Sequence, residues 1–154
     1  MKSKLNIILP NYNKEDYLEE TINSIINQTF NDWELIIIDN YSTDQSKKII
    51  KKYNSHKKIF SYFLKKNMGV SFSRNLGIRS SNSKYISFID ADDLWVPNKL
   101  ENQINFMEKY NYNFTYTDYT PFFDREKRIF KKRIRSPQSF NYEEFINNTS
   151  ISTS

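Results

Sequence analysis

Cysteine is absent from the 154-residue chain, which excludes disulfides, thiolate metal ligands and cysteine nucleophiles. Histidine occurs once, as His56 in the polar run Asn54, Ser55, His56, Lys57, Lys58. Neither a Ser/His/Asp triad nor a multi-histidine metal centre can be assembled, and a plain surface position is expected for this side chain. Glycine occurs only at Gly69 and Gly77, so there is no GxGxxG fingerprint and no phosphate-cradling P-loop. No stretch approaches the roughly 20 apolar residues of a membrane span. The opening MKSKLNIILPNYN has neither the apolar run nor the cleavage site of a secretory signal, so a cytoplasmic location is expected, reaching at most to the inner face of a membrane. Chemistry is left to carboxylates, hydroxyls, amides, Lys and Arg.

What is present suits a folded domain. Hydrophobic residues make up 38% and aromatics 16% of the chain, enough to fill the core of one domain of this length. The formal net charge is +5. Lys47, Lys48, Lys51 and Lys52 interleave with Ile49, Ile50 and Tyr53 at helical spacing and read as the solvated face of a helix. A second basic run, KRIFKKRIR from Lys127 to Arg135, sets charge beside Ile129, Phe130 and Ile134 and is a candidate for peripheral contact with a membrane. The positive charge does not argue for nucleic acid. The aromatics fall mostly in strand-like runs rather than on a stacking platform, and the acidic cluster described below would repel phosphate without a cation.

Apolar runs and turn residues alternate over the first 110 residues. Leu5 to Leu9 reads as a buried strand stopped by Pro10 and Asn11. Asn13 is placed to cap a helix that carries Glu15 and Asp16 in its first turn and runs to Gln28 with Leu18, Ile22, Ile25 and Ile26 on one face. Glu34 to Ile38 is a second buried strand, and Ser42 or Thr43 caps a helix reaching Tyr53. Ile59 to Leu64 is a third strand, Ser71 to Ser80 a helix and Tyr85 to Ile89 a fourth strand. Pro97 suits the first turn of another helix, with Leu100, Ile104, Met107 and Tyr110 in one stripe. This order predicts an α/β fold, a mostly parallel sheet with helices on both faces. Phe114 to Phe123 and Arg128 to Lys132 read as extended segments around a turn at 124–126, and Asn141 caps a short helix through Ile146.

In an open parallel sheet, ligands bind beyond the carboxyl ends of the strands. Here Asn11 and Tyr12 follow the first strand, Asp39 the second, and Asp90, Ala91, Asp92 and Asp93 the fourth. Three carboxylates within four residues repel one another, and a cation relieves that repulsion better than solvent does. Asp93 alone could cap the helix near Pro97, which leaves Asp90 and Asp92 unexplained. Two acids flanking a small residue can aim oxygens at one hard divalent ion, and an all-oxygen set suits Mg2+ or Mn2+. Without a glycine-rich loop, such an ion would have to neutralise much of a bound diphosphate, with Arg74, in the first turns of the helix after Gly69, as its helper.

Three blocks, LPNYNKEDYLEETINSIINQTFNDWELIIIDN, NMGVSFSRNLGI and YISFIDADDLWVPNKLE, follow one another in an order that resembles glycosyltransferase family 2, inverting enzymes with a GT-A fold. The resemblance is close over residues 4–110 and loose beyond. It implies a metal-dependent transfer of sugar from a nucleotide-diphosphate sugar, of UDP type, to the hydroxyl of a glycan or lipid-linked acceptor in bacterial cell-surface polysaccharide assembly. It also implies that Pro10, Asn11 and Tyr12 line the nucleoside pocket and that Asp39 accepts a hydrogen bond from the base. By the same resemblance Arg74 lies near the diphosphate, Asp90 near the ribose or sugar, and Asp92 directly on the Mn2+ or Mg2+, with Asp90 beside it and Asp93 in support. Asn40 stands where the family often has a second Asp. Residues 1–112 would then be the nucleotide-sugar-binding part, and 113–154 the start of an incomplete acceptor-binding part. An inverting transfer needs a carboxylate to deprotonate the acceptor. The family's usual base motif is absent, and Asp118 in TYTDY is the nearest candidate. The alternative is a non-catalytic nucleotide-sugar-binding fragment or pseudoenzyme.

Overall fold

The computed structural model describes residues 3–123, 128–129 and 133–135. They form two compact units that divide between Asn102 and Gln103. In the first, the isoleucine-rich runs Leu5–Asn11 (β1) and Trp33–Asp39 (β2) are buried almost throughout. They are the central strands of a four-stranded sheet ordered β3-β2-β1-β4, with Ile59–Phe63 as β3 and Tyr85–Phe88 as β4. All pairings are parallel: β1 meets β2 from Leu5↔Trp33 to Asn11↔Asp39 and meets β4 from Leu5↔Tyr85 to Ile8↔Phe88. Strands apolar on both sides are what a sheet covered on both faces requires.

The covering follows the two-residue period of β1. Leu5, Ile7 and Leu9 pack with Leu18, Ile22 and Ile25 of Leu18–Ile26 (α1) and with Ile49 and Ile50 of Ser46–Lys52 (α2). Ile8 points the other way and joins Ile36, Ile38 and Leu76 of Val70–Ser80 (α3). Helices thus lie on both faces, as the order of elements predicts. At Gly77 a Cβ would stand 2.5 Å from Ile8 Cγ2, so α3 sits at a distance from β1 that only glycine permits.

The helix starts differ from expectation. α1 begins at Leu18 because Asn13 is used elsewhere: its φ is 50° and its Oδ1 accepts the Thr43 amide at 2.8 Å, bridging two loops. Neither Ser42 nor Thr43 caps α2. Ser42 Oγ accepts from Asn11 and Asn13, and Asp44 Oδ1 accepts the Ser46 amide at the start of that helix. In Lys99–Tyr110 (α4) Leu100 and Ile104 are buried and Met107 is half-buried, but Tyr110 is 51% exposed. It leaves the core stripe for an aromatic cluster with Phe106 and Tyr112, so the aromatics are not confined to strand-like runs. α4 starts at Lys99, well beyond Asp93, which therefore is not its cap. His56 is half-buried rather than free in solvent, its ring parallel to that of Trp33 at 6.1 Å.

In the second unit Phe122–Phe123 (β5) pairs antiparallel with Arg128–Ile129 (β6), and Tyr119 bridges Ile134. Of the extended segments read from the sequence, 114–123 and 128–132, only these short stretches pair among the described residues, and 130–132 lie outside them. The turn at 124–126 and the helix expected from Asn141 to Ile146 lie outside the described residues. Among the described residues no helix is long and apolar enough to cross a membrane.

Candidate functional site

The chain leaves β1 for β2 on one side and later returns to β4 on the other, which opens a crevice beyond the carboxyl ends of β1 and β4. β1 outruns its neighbour there. The β4 ladder stops at Ile8↔Phe88, with the Ile89 amide donating to Ile8 O at 3.2 Å. Even-numbered β1 residues turn their backbone groups toward β4, as Ile8 does, and odd-numbered ones toward β2, as Asn11 O does in accepting the Asn40 amide at 2.8 Å. Pro10 has no amide hydrogen, yet it loses no ladder bond, because it faces the side where β4 has ended.

The strand ends are tied together by a buried polar knot. Asn11 Nδ2 donates to Asp39 Oδ1 at 2.9 Å and to Ser42 Oγ at 3.1 Å, and the Ser42 amide donates to Asp39 Oδ2 at 3.1 Å. The Asn40 side chain joins β2 to the loop before α3: its Nδ2 donates to Asn67 Oδ1 at 2.9 Å and its Oδ1 accepts the Met68 amide at 2.8 Å. Because Asn67 Oδ1 also accepts the Gly69 amide, a carboxylate at position 40 would face an acceptor, and only an amide satisfies both sides. Gly69 itself has φ of 84°, a left-handed conformation that suits glycine at the head of α3.

The acidic turn after β4 and the segment following it are held by the polar side of α1 and by Gln28 just beyond its end. Thr21 Oγ1 donates to Ala91 O at 3.0 Å, Ser24 Oγ accepts the Trp95 amide at 3.3 Å, and Gln28 donates to Val96 O while accepting from Leu100 N. On this turn Asp90 Oδ1 lies 2.6 Å from Arg74 Nη2 and Asp92 Oδ2 lies 2.5 Å from Lys14 Nζ. The hydrogen bond to Asp92 holds the Lys14 ammonium above its ordinary range, with burial opposing. The three carboxylates do not converge. No group of three or more His, Cys, Asp or Glu side chains that could hold an ion is found among the described residues, and Arg74 and Lys14 pair with Asp90 and Asp92 separately. Two carboxylates that each attract a cation can still supply one or two oxygens to Mg2+ or Mn2+, which typically completes its shell with substrate phosphates and water.

The sequence profile of "Glycosyl transferase family 2" matches residues 6–153. The chain belongs to that family. Relatives within it include the Bacillus subtilis (strain 168) protein TuaG, named for teichuronic acid biosynthesis, 33% identical over 97% of this chain and 60% of its own length. Another is the Escherichia coli UDP-Glc:alpha-D-GlcNAc-diphosphoundecaprenol beta-1,3-glucosyltransferase WfgD, 32% identical over 96% of this chain and 56% of its own length. The chain thus spans somewhat over half of these relatives. A solved structure, Staphylococcus aureus TarS 1–349 in complex with UDP, superposes with a TM-score of 0.66 and 29% identity over 72% of this chain and 33% of that one. The sheet and helices are those of a GT-A glycosyltransferase.

Measured against the family 2 reading of the sequence, Arg74 pairs with Asp90 while Asp92 pairs with Lys14, and Tyr12, 46% exposed, follows β1 at the crevice. Pro10, Asn11 and Asp39 gather beneath, but they are buried: Asp39 is 0% exposed with both carboxylate oxygens engaged. Asp118 belongs to the second unit, where Arg133 approaches it to 4.0 Å. Lys14 carries no signal in the sequence, and Ser42 reads there only as a candidate helix cap. A lysine at the head of a helix pattern carries no mark of an ionic partner after another strand.

Proposed function

We propose that this chain is the donor-binding part of a glycosyltransferase that takes a sugar from a UDP-sugar, with Mn2+ or Mg2+, in bacterial cell-surface polysaccharide assembly. The observation that carries this reading is that the turn after β4, at the switch point of the sheet, sets out Asp90 and Asp92, each already drawing a cation, with Asp92 reaching Lys14 just past β1. Support comes from the TarS likeness, whose structure holds UDP, and from WfgD, whose name specifies UDP-glucose and a diphosphoundecaprenol-linked acceptor.

In this account Tyr12 offers its exposed ring to the nucleoside, above a floor made by Pro10, Asn11 and Asp39. Asn11 Oδ1 is a buried acceptor without a partner among the described residues, and an N–H from the base would satisfy it. Asp39 orients the Asn11 amide through Nδ2 and would itself reach the base only after the atoms covering it move aside. Arg74 would offer its guanidinium to the diphosphate and Asp90 would face the ribose or sugar. Asp92, with Asp90 beside it, would hold the divalent ion, whose charge neutralises the departing diphosphate. Asp118 is the proposed base toward a glycan or lipid-linked acceptor hydroxyl, and the run from Lys127 to Arg135 is the proposed contact with a membrane surface.

A thermal-shift comparison of UDP, GDP and ADP with Mn2+ tests the donor class. UDP should raise the melting temperature most, and a response to GDP or ADP alone would contradict the assignment. Donor hydrolysis by this chain, lost in Asp118→Asn, would mark it as catalytic. UDP binding without turnover would instead favour the non-catalytic fragment.

A further inference from the structure

We propose that Lys14 is a built-in counter-cation for Asp92, which a divalent ion must displace, so that the ion is taken up together with the donor diphosphate rather than before it. This rests on the donor-site reading above.

Lys14 follows β1 and Asp92 follows β4, 78 residues apart in the chain, yet their charged groups meet across the crevice. Both partners are anchored from behind. The Lys14 amide donates to the buried Ser46 Oγ at 3.3 Å, and its neighbours are fixed by the Asn13 amide on Ser42 Oγ and the Glu15 amide on Asp44. The Asp92 turn is fixed by Thr21 through Ala91 O. The fold therefore sets the backbone at both ends, which brings the two side chains within reach of each other.

The electrostatic consequence is specific. An ammonium at 2.5 Å neutralises Asp92 and repels a second cation approaching the same oxygen. Asp90 offers no way round, since the Arg74 guanidinium holds it in the same manner. A diphosphate changes both sides of the balance: its oxygens complete the coordination of the ion, and its remaining charge gives the displaced ammonium a new partner. Nucleotide and metal then strengthen each other's binding reciprocally, and Lys14 sets the size of that coupling. The salt bridge leaves both side chains 39% exposed, so its removal should act on metal affinity by a moderate factor.

The test is Mn2+ binding followed by electron paramagnetic resonance of the free ion, with and without UDP, for the wild type, Lys14→Met, Lys14→Gln and Lys14→Arg. Lys14→Met and Lys14→Gln should each bind Mn2+ alone about three- to tenfold more tightly than the wild type. UDP should add less further tightening in these variants, and Lys14→Arg should keep the wild-type pattern. Two variants of different polarity are used so that misfolding of one leaves the other to decide. Unchanged or weaker binding of Mn2+ alone, in variants of a protein that still binds Mn2+ with UDP, overturns the role of Lys14 and leaves the donor site standing. A wild type that binds no Mn2+ even with UDP removes both.

Discussion

Asn11 and Asp39 end the two central strands as register partners, and Asn11 Nδ2 donates to Asp39 Oδ1 at 2.9 Å inside the protein. Asp39 also accepts the Ser42 amide, so one carboxylate fixes both strand ends and the turn leading to α2. Asp39→Ala would leave the Ser42 N–H and one of the two Asn11 side-chain N–H groups without an acceptor and should lower stability by about 2–4 kcal/mol. Chemical denaturation measures this. A loss under about 0.5 kcal/mol, the scale of ordinary surface substitutions, would show that water or another acceptor takes over.

Gly77 answers to packing rather than to backbone conformation. A Cβ there would meet Ile8 Cγ2 at 2.5 Å, so Gly77→Ala should lower stability by about 1–3 kcal/mol through overpacking. Pairing it with Ile8→Val should recover part of the loss if the clash is the cause. Additive losses in the double variant would point to some other origin.

Lys99 gives a pH signature. Burial pushes its ammonium down to about 8, and its Nζ lies 4.3 Å from the centre of the Trp95 ring. Below about pH 8 both folded and unfolded chains carry the proton, and the folded state bears the full burial penalty. Between about 8 and the ordinary value of 10.5 the unfolded chain holds a proton that the folded one has shed, so this residue makes stability rise with pH. Above 10.5 the penalty is gone. Lys99→Met should therefore stabilise the protein by about 1–3 kcal/mol at pH 7, with the advantage shrinking as pH climbs through that window. An advantage that is constant from pH 7 to 10 would mean that packing, not charge, is responsible.

The sheet was legible because Leu5 to Leu9 and Glu34 to Ile38 are apolar on both faces, and a chain can bury such runs only between helices. The acidic turn was legible as well, since Asp90, Asp92 and Asp93 crowd together after a strand. The start of α1 was not. Capping rules weigh neighbours in sequence, whereas Asn13 is claimed by the Thr43 amide from another loop. For the same reason the partners of the carboxylates were hidden: only the return of the chain to β4 beside β1 sets Lys14 against Asp92. Asn40 looked like a lost charge and turns out to be the one side chain that can serve Asn67 and Met68 together.

Isothermal titration of UDP into the wild type and Asp92→Ala, with and without Mn2+, decides whether Asp92 couples the ion to the nucleotide. The wild type should bind UDP in a Mn2+-dependent manner, and binding should fall by at least about tenfold in Asp92→Ala, a loss of about 1.4 kcal/mol or more. UDP binding that is absent from the wild type, or equal in the two proteins, would contradict that coupling.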